Sequence, residues 1–191
     1  MENLNDKLRQ FKMNALTAQV LHAMRINRYS ILIKIEKLLT VVVPLLYLIL
    51  LYISKGTSWE TIIGVISTIL SILLIGVSVV SMILGIEGKL DDHKLGLKGN
   101  KLICNEVDNF ISNGKKEEEL EWFFKYVAEV DAKDHEIFAA VKPKEKQYAY
   151  REALKEFSHS NPHTTCPVCD ASPWKFVAGD CQLCGNKSIN K

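Results

Sequence analysis

The longest uncharged stretch of the chain, Thr61 to Ile86 (TIIGVISTILSILLIGVSVVSMILGI), constrains its fold most. As a helix its 26 residues rise about 39 Å at roughly 1.5 Å each, more than a hydrocarbon core of about 30 Å. A second apolar run, Leu38 to Ser54 (LLTVVVPLLYLILLYIS), lies just before it between Lys37 and Lys55. Its 17 residues sit at the short end of the spanning range. Extension back through Ile31, Ile33 and Ile35 requires Lys34 to reach toward the headgroups. Only Lys55–Glu60 separate the runs, so the pattern predicts an antiparallel helical hairpin. The competing reading is a hairpin buried inside a water-soluble domain. A chain of 191 residues is small to enclose so long an apolar helix. The expectation is therefore an all-α membrane protein.

Charge follows the same division. Residues 1–37 hold seven Lys/Arg against three acidic residues, and residues 87–191 hold 16 against 18. Basic residues gather at the outer ends of the hairpin, with Arg25, Arg28, Lys34 and Lys37 before it and Lys89, Lys94, Lys98 and Lys101 after it. By the positive-inside rule this places both termini of a multi-pass membrane protein in the cytoplasm and the turn between the runs outside. No cleavable signal peptide is expected, since the first apolar run starts well inside the chain and no small-residue cleavage site follows it.

Around this hairpin the periodicity predicts helices. Leu4, Leu8, Phe11, Ala15, Ala18 and Leu21 recur at spacings of three and four, marking an amphipathic helix over 3–27 within an N-terminal segment 1–37. That helix can lie in the membrane interface or pack on the protein's own cytoplasmic helices. After the hairpin (38–86), a helical region over 87–158 is expected. Glycines 96, 99 and 114 punctuate short pieces near 89–95 and 101–112. A longer helix follows from about Glu117 to Val141 along the line Leu120, Phe123, Val127, Val130, Ile137 and Val141, and another over 144–158. The segment from His159 to His163 reads as a linker. The run Asp131, Asp134, His135, Glu136 reads as a solvated face.

The C-terminal segment 164–187 carries the chemistry. Cys166-Pro-Val-Cys169 is followed after eleven residues by Cys181-Gln-Leu-Cys184-Gly185. In a reducing cytosol paired Cys-x-x-Cys motifs are metal ligands rather than disulfides. Four thiolates at this spacing close a tetrahedron around zinc, each pair forming a tight knuckle, and iron with the same ligands is the minor alternative. The short connection predicts a minimal zinc ribbon with Trp174, Phe176 and Val177 on its hairpin. A four-cysteine site leaves no open position for catalysis. Lys175, Lys187 and Lys191 against Asp170 and Asp180 do not make the basic surface that nucleic acid requires. A structural or docking role is expected, with Cys104 as a buried thiol. Nothing in the chain supplies a nucleophile–base pair or a phosphate-cradling loop, so no enzyme is expected.

The second apolar run also carries a stripe. Gly64, Ser67, Ser71, Leu74, Ser78, Ser81 and Gly85 step by three and four along one face. Small residues let membrane helices pack closely. The same serines can line water, with Leu74 as an apolar constriction. Packing is favoured, and the stripe on the first run (Thr40, Pro44, Tyr47, Leu51, Ser54) is a natural partner for it.

Two closely spaced apolar helices, a preceding helix, a following helical region and a terminal four-cysteine knuckle resemble the SLATT-type two-transmembrane proteins. More narrowly, the chain resembles a branch from mobile elements marked by two Cys-x-x-Cys pairs eleven residues apart. The resemblance implies a homo-oligomeric effector of bacterial anti-phage defence that permeabilises the inner membrane. A nucleotide second messenger or a signalling protein would be its trigger. The alternative is a membrane anchor that recruits a cytosolic partner through its zinc module, and neither reading calls for direct nucleic-acid binding.

Overall fold

A computed structural model describes residues 4–158 and 163–189; most of the expected linker, residues 159–162, lies outside them. Among the described residues there are five α-helices: α1 (Leu4–Ser54), α2 (Glu60–Ile83), α3 (Ile86–Asn113), α4 (Glu121–Ile137) and α5 (Pro143–Phe157). A short 3₁₀ turn, Glu117–Leu120, precedes α4. Among the described residues there is no named strand. The chain divides into two compact units, one formed by residues up to Met24 together with those from His93 onward, the other by Arg25–Asp92.

The helical unit gathers the start of α1, most of α3, and α4, α5 and the cysteine module. Its core holds Leu8, Ala15 and Leu16 from α1, Ile103, Val107 and Phe110 from α3, Phe123 and Val127 from α4, and Ala153 from α5. Phe123 and Val107 are fully buried, each side chain removing about 1.5–3 kcal/mol of apolar surface free energy from water. Phe110 meets Phe123 edge-on, with ring centroids 5.0 Å apart. The apolar line of the first amphipathic segment thus packs on the protein's own helices.

The hairpin unit contains α2 and the apolar half of α1. Both helices are long and apolar enough to cross a membrane, by length and composition, and only 6% of the apolar window of each is buried. Between them Gly56 takes a left-handed φ of 77° and donates its N–H to Glu60 Oε2 at 2.9 Å. The second helix stops at Ile83, three residues before its apolar run ends, because Gly85 (φ 59°) turns the chain into α3. Glycine tolerates that conformation without a Cβ clash.

Four expectations are corrected. The first amphipathic segment and first apolar run form one helix of 51 residues, with no break at residue 37. The change of pattern there marks a change of surroundings, and no glycine or proline interrupts residues 27–43. Likewise α3 is one helix, because Gly96 and Gly99 are close-packing positions rather than breaks. A Cβ at Gly96 would collide with the His22 ring, and one at Gly99 would meet Tyr126 Oη at 3.3 Å. Only Gly114 (φ 60°) ends α3, with Lys115 N–H donating back to Phe110 O at 3.2 Å, a glycine-terminated helix end. The presumed solvated run on α4 is also divided: Asp131, His135 and Glu136 are exposed, whereas Asp134 is buried.

Finally, the expected ribbon hairpin reduces to a single antiparallel bridge, Ala178 to Asn186. Pro173 cannot donate to a ladder. The buried Asn186 side chain replaces one instead, accepting from Val177 N–H at 2.9 Å and donating to Ser172 O at 3.2 Å.

Candidate metal centre

Each Cys-x-x-Cys pair folds into the same tight turn. In the first, Asp170 N–H donates to Cys166 O at 2.9 Å; in the second, Gly185 N–H donates to Cys181 O at 2.8 Å. The residue after the second cysteine is left-handed in both, φ 55° at Asp170 and 71° at Gly185. The predicted permissive role of Gly185 therefore has an unexpected counterpart in an aspartate. The visible signal was positional, since both residues follow their Cys-x-x-Cys directly.

These turns bring Cys166, Cys169, Cys181 and Cys184 together, all buried, with their sulfurs within 4.8 Å of one another. Cys169 and Cys184 Sγ are 3.4 Å apart, and Cys166 and Cys181 Sγ 3.9 Å. A tetrahedral ion with sulfur bonds of about 2.3 Å needs sulfurs about 3.8 Å apart. All four cysteines are free thiols; a disulfide would hold its sulfurs at about 2.05 Å. The donor set and spacing fit one tetrahedrally held metal ion.

Backbone amides prepare the site for anionic sulfur. Burial raises the Cys181 thiol, but the N–H groups of Cys184 and Leu183, together with the Cys184 and Cys169 thiols, outweigh it and bring the value down to about 7. Cys184 moves the other way, pushed up chiefly by burial, although Asn186 N–H opposes the shift. Burial also raises Cys169, against Ala171 N–H. Four close sulfurs cannot all ionise unaided, which is the electrostatic condition a cation relieves.

A family model described as "Mobilome CxxCx(11)CxxC protein" matches residues 5–187. The chain belongs to this family. No curated protein and no solved structure matches. Because the mobilome CxxC match spans the helices as well as the cysteines, the contacts joining them fall inside the family's extent.

Those contacts come mainly from α5. Arg151 is buried and donates from Nη1 to Cys184 O at 2.6 Å. Its guanidinium carbon also lies 3.9 Å from the Phe176 ring centroid. One turn earlier Gln147 Nε2 donates to Cys181 O at 3.2 Å. Leu154 and Tyr150 of α5, with Met13 of α1, pack around the cysteines. Burial, followed by the four cysteine sulfurs, pushes the Tyr150 hydroxyl up to about 12. Sequence reasoning missed Arg151 and Gln147. Their spacing of four on a helix facing the module was the available signal.

The small-residue stripe lies in the hairpin unit. Ser67 is buried. Ser71, Leu74 and Ser78 line a cleft of about 380 Å³ together with Thr40 and Pro44 of α1. Ser81 Oγ donates to Glu36 Oε2 at 2.7 Å. Gly64 is partly covered, and Gly85 forms the turn after α2. Cys104, the remaining thiol, is buried on α3 and accepts from Gln19 Nε2 at 3.1 Å.

Proposed function

We propose that this protein is a membrane effector of bacterial anti-phage defence, of the SLATT type, which oligomerises and permeabilises the inner membrane on a cytosolic signal. The observation that carries the reading is the two-sidedness of α2. Ile, Val and Leu cover its exposed faces, while the serine-bearing stripe turns toward α1. An apolar surface of this extent is costly in water and at home in lipid. In the resting hairpin α1 partly covers the stripe, with Ser67 buried and Ser71 exposed. Activation would part the helices, so that stripes from several copies line a common passage with Leu74 as its narrow point. Zinc is the ion the four cysteines would hold, through Cys166, Cys169, Cys181 and Cys184, and it would supply folding energy rather than chemistry. The protein acts without catalysis in this reading, with both termini cytoplasmic.

The test is induced expression in bacteria with a membrane-potential dye, paired with dye release from liposomes. Leu74→Ser should leak constitutively, and Ser71→Leu or Ser78→Leu should stay closed. Reporter fusions should place residue 57 outside the cytoplasm and the C-terminus inside. If neither wild type nor Leu74→Ser changes permeability when the trigger is present, the anchor reading replaces this one. That second reading is favoured by the exposed Trp174, Phe176 and Val177 on the cysteine module, a surface suited to a cytosolic partner.

A further inference from the structure

A buried polar cluster lies in the helical unit, on α1, α3 and α4. His22 of α1 is fully buried, and His93 of α3 is 5% exposed. Their Nδ1 atoms are 3.0 Å apart. On its other side His22 Nε2 stands 2.8 Å from Asp134 Oδ1 of α4. Asn100 of α3 donates from Nδ2 to Asp134 Oδ2 at 2.7 Å and to Gly96 O at 3.0 Å, and its buried Oδ1 has no hydrogen-bond partner. Phe138 covers both rings, with centroids 4.6 Å from His22 and 6.1 Å from His93. Gly96 makes the room, since a Cβ there would strike the His22 ring.

This geometry limits the protons the cluster can hold. An ionised Asp134 only accepts, so His22 Nε2 carries a hydrogen. The gap between the two Nδ1 atoms takes a single hydrogen, which is satisfied with no ring charged or with one. With both rings charged, two N–H groups would face each other at 3.0 Å, and two adjacent buried cations would repel. Other titratable and charged groups belong to the same helices. From α4 come Asp134 and Asp131, the latter's carboxyl raised by partial desolvation at its exposed position and by Asp134. Arg25 on α1 and Asp92 and Lys94 on α3 are sequence neighbours with interactions of their own. Val141 and Ala149 from the α5 side are apolar. The position matters as well: the helical unit ends at Met24 on α1 and resumes at His93 on α3.

We propose that His22, His93, Asp134 and Asn100 form a proton-operated clasp. It fastens α1 to α3 and α4 while one hydrogen bridges the rings, and it opens when both rings are protonated. The proposal concerns the helical unit and stands apart from the pore reading. Hydrogen exchange on the full chain in nanodiscs, corrected for intrinsic rate, tests it at about pH 7.5 and about pH 5.5, either side of the ordinary imidazole range. Peptides over 14–26, 90–104 and 128–138 should open about tenfold more readily at the acid pH, the scale of losing one charge-linked buried hydrogen bond. His93→Gln, which can bridge to His22 but cannot take a proton, should show the same protection at both. Should that variant fail to fold, imidazole nitrogen NMR of wild type at neutral pH should show one hydrogen between the two Nδ1 positions. Equal wild-type protection at both pH values, an unchanged acid response in His93→Gln, or two protonated Nδ1 atoms at neutral pH would each overturn the clasp. So would an acid response that appears only with loss of metal from the same sample.

Discussion

Replacing Arg151 by methionine removes the guanidinium while keeping most of the stem's volume, and so isolates what the head group does. Arg151 Nη1 holds Cys184 O at 2.6 Å in a buried setting, a charge-assisted bond of about 1.5–3 kcal/mol. Its stacking over Phe176 at 3.9 Å adds about 0.5–2 kcal/mol. The contacts overlap and methionine recovers part of the packing, so the net loss is about 2–4 kcal/mol. A small module folds as it binds metal, so a cost to its folded form appears as weakened metal affinity. At about 1.4 kcal/mol per tenfold, zinc affinity should fall about 30- to 700-fold. Competition against a calibrated zinc chelator measures this directly. Arg151→Lys should fall between, since an ammonium offers a donor but neither the fork nor the flat stack. Zinc affinity within twofold of wild type in Arg151→Met, beside clear loss in Cys184→Ser, would refute the view that α5 steadies the second knuckle.

The two knuckles should respond oppositely to changes at matched positions. Asp170→Gly relieves a left-handed residue and should leave thermal stability unchanged or raise it slightly, whereas Gly185→Ala should lower it by about 1–2 kcal/mol, because its Cβ would lie 2.9 Å from Gln147 Oε1; a denaturation series decides the sign of each. Burial raises the Cys104 thiol from 9.0 to about 11, so at about pH 8 only about one in a thousand is thiolate, against about one in ten at the unshifted value; alkylation of folded protein should be about a hundredfold slower than after denaturation. The neutral thiol is favoured in the folded state, so this group's contribution to stability holds below pH 9 and declines as pH rises through about 11. Cys169→Ser should lower the metal content, and Cys104→Ser should leave it unchanged, by elemental analysis.

Much of this was legible in the chain. Uncharged length announced the two apolar helices, and cysteine spacing announced the four-sulfur cluster. The spacings of Leu8, Ala15 and Leu21, and of Leu120, Phe123 and Val127, correctly marked buried faces. What escaped depends on partners far apart in sequence. Hydropathy reports the surroundings of a helix and not its ends, so α1 was divided where its environment changes. Glycine in α3 reads as punctuation until the His22 ring is placed over Gly96. Asp134 looked like its exposed neighbours because nothing local tells that one carboxylate turns inward to a histidine 112 residues away. Arg151 likewise looks like any surface cation until the module arrives above α5.

The near-symmetry of the two knuckles conceals an unequal attachment to α5. Both use the same turn, yet only the Cys181–Cys184 half is gripped by Gln147 and Arg151 through its carbonyls. The Cys166–Cys169 half carries an aspartate in a conformation that glycine would adopt freely. When the ion departs, the two bonds from α5 to the second half do not depend on it. A knuckle kept seated on α5 would then be ready to receive the ion again.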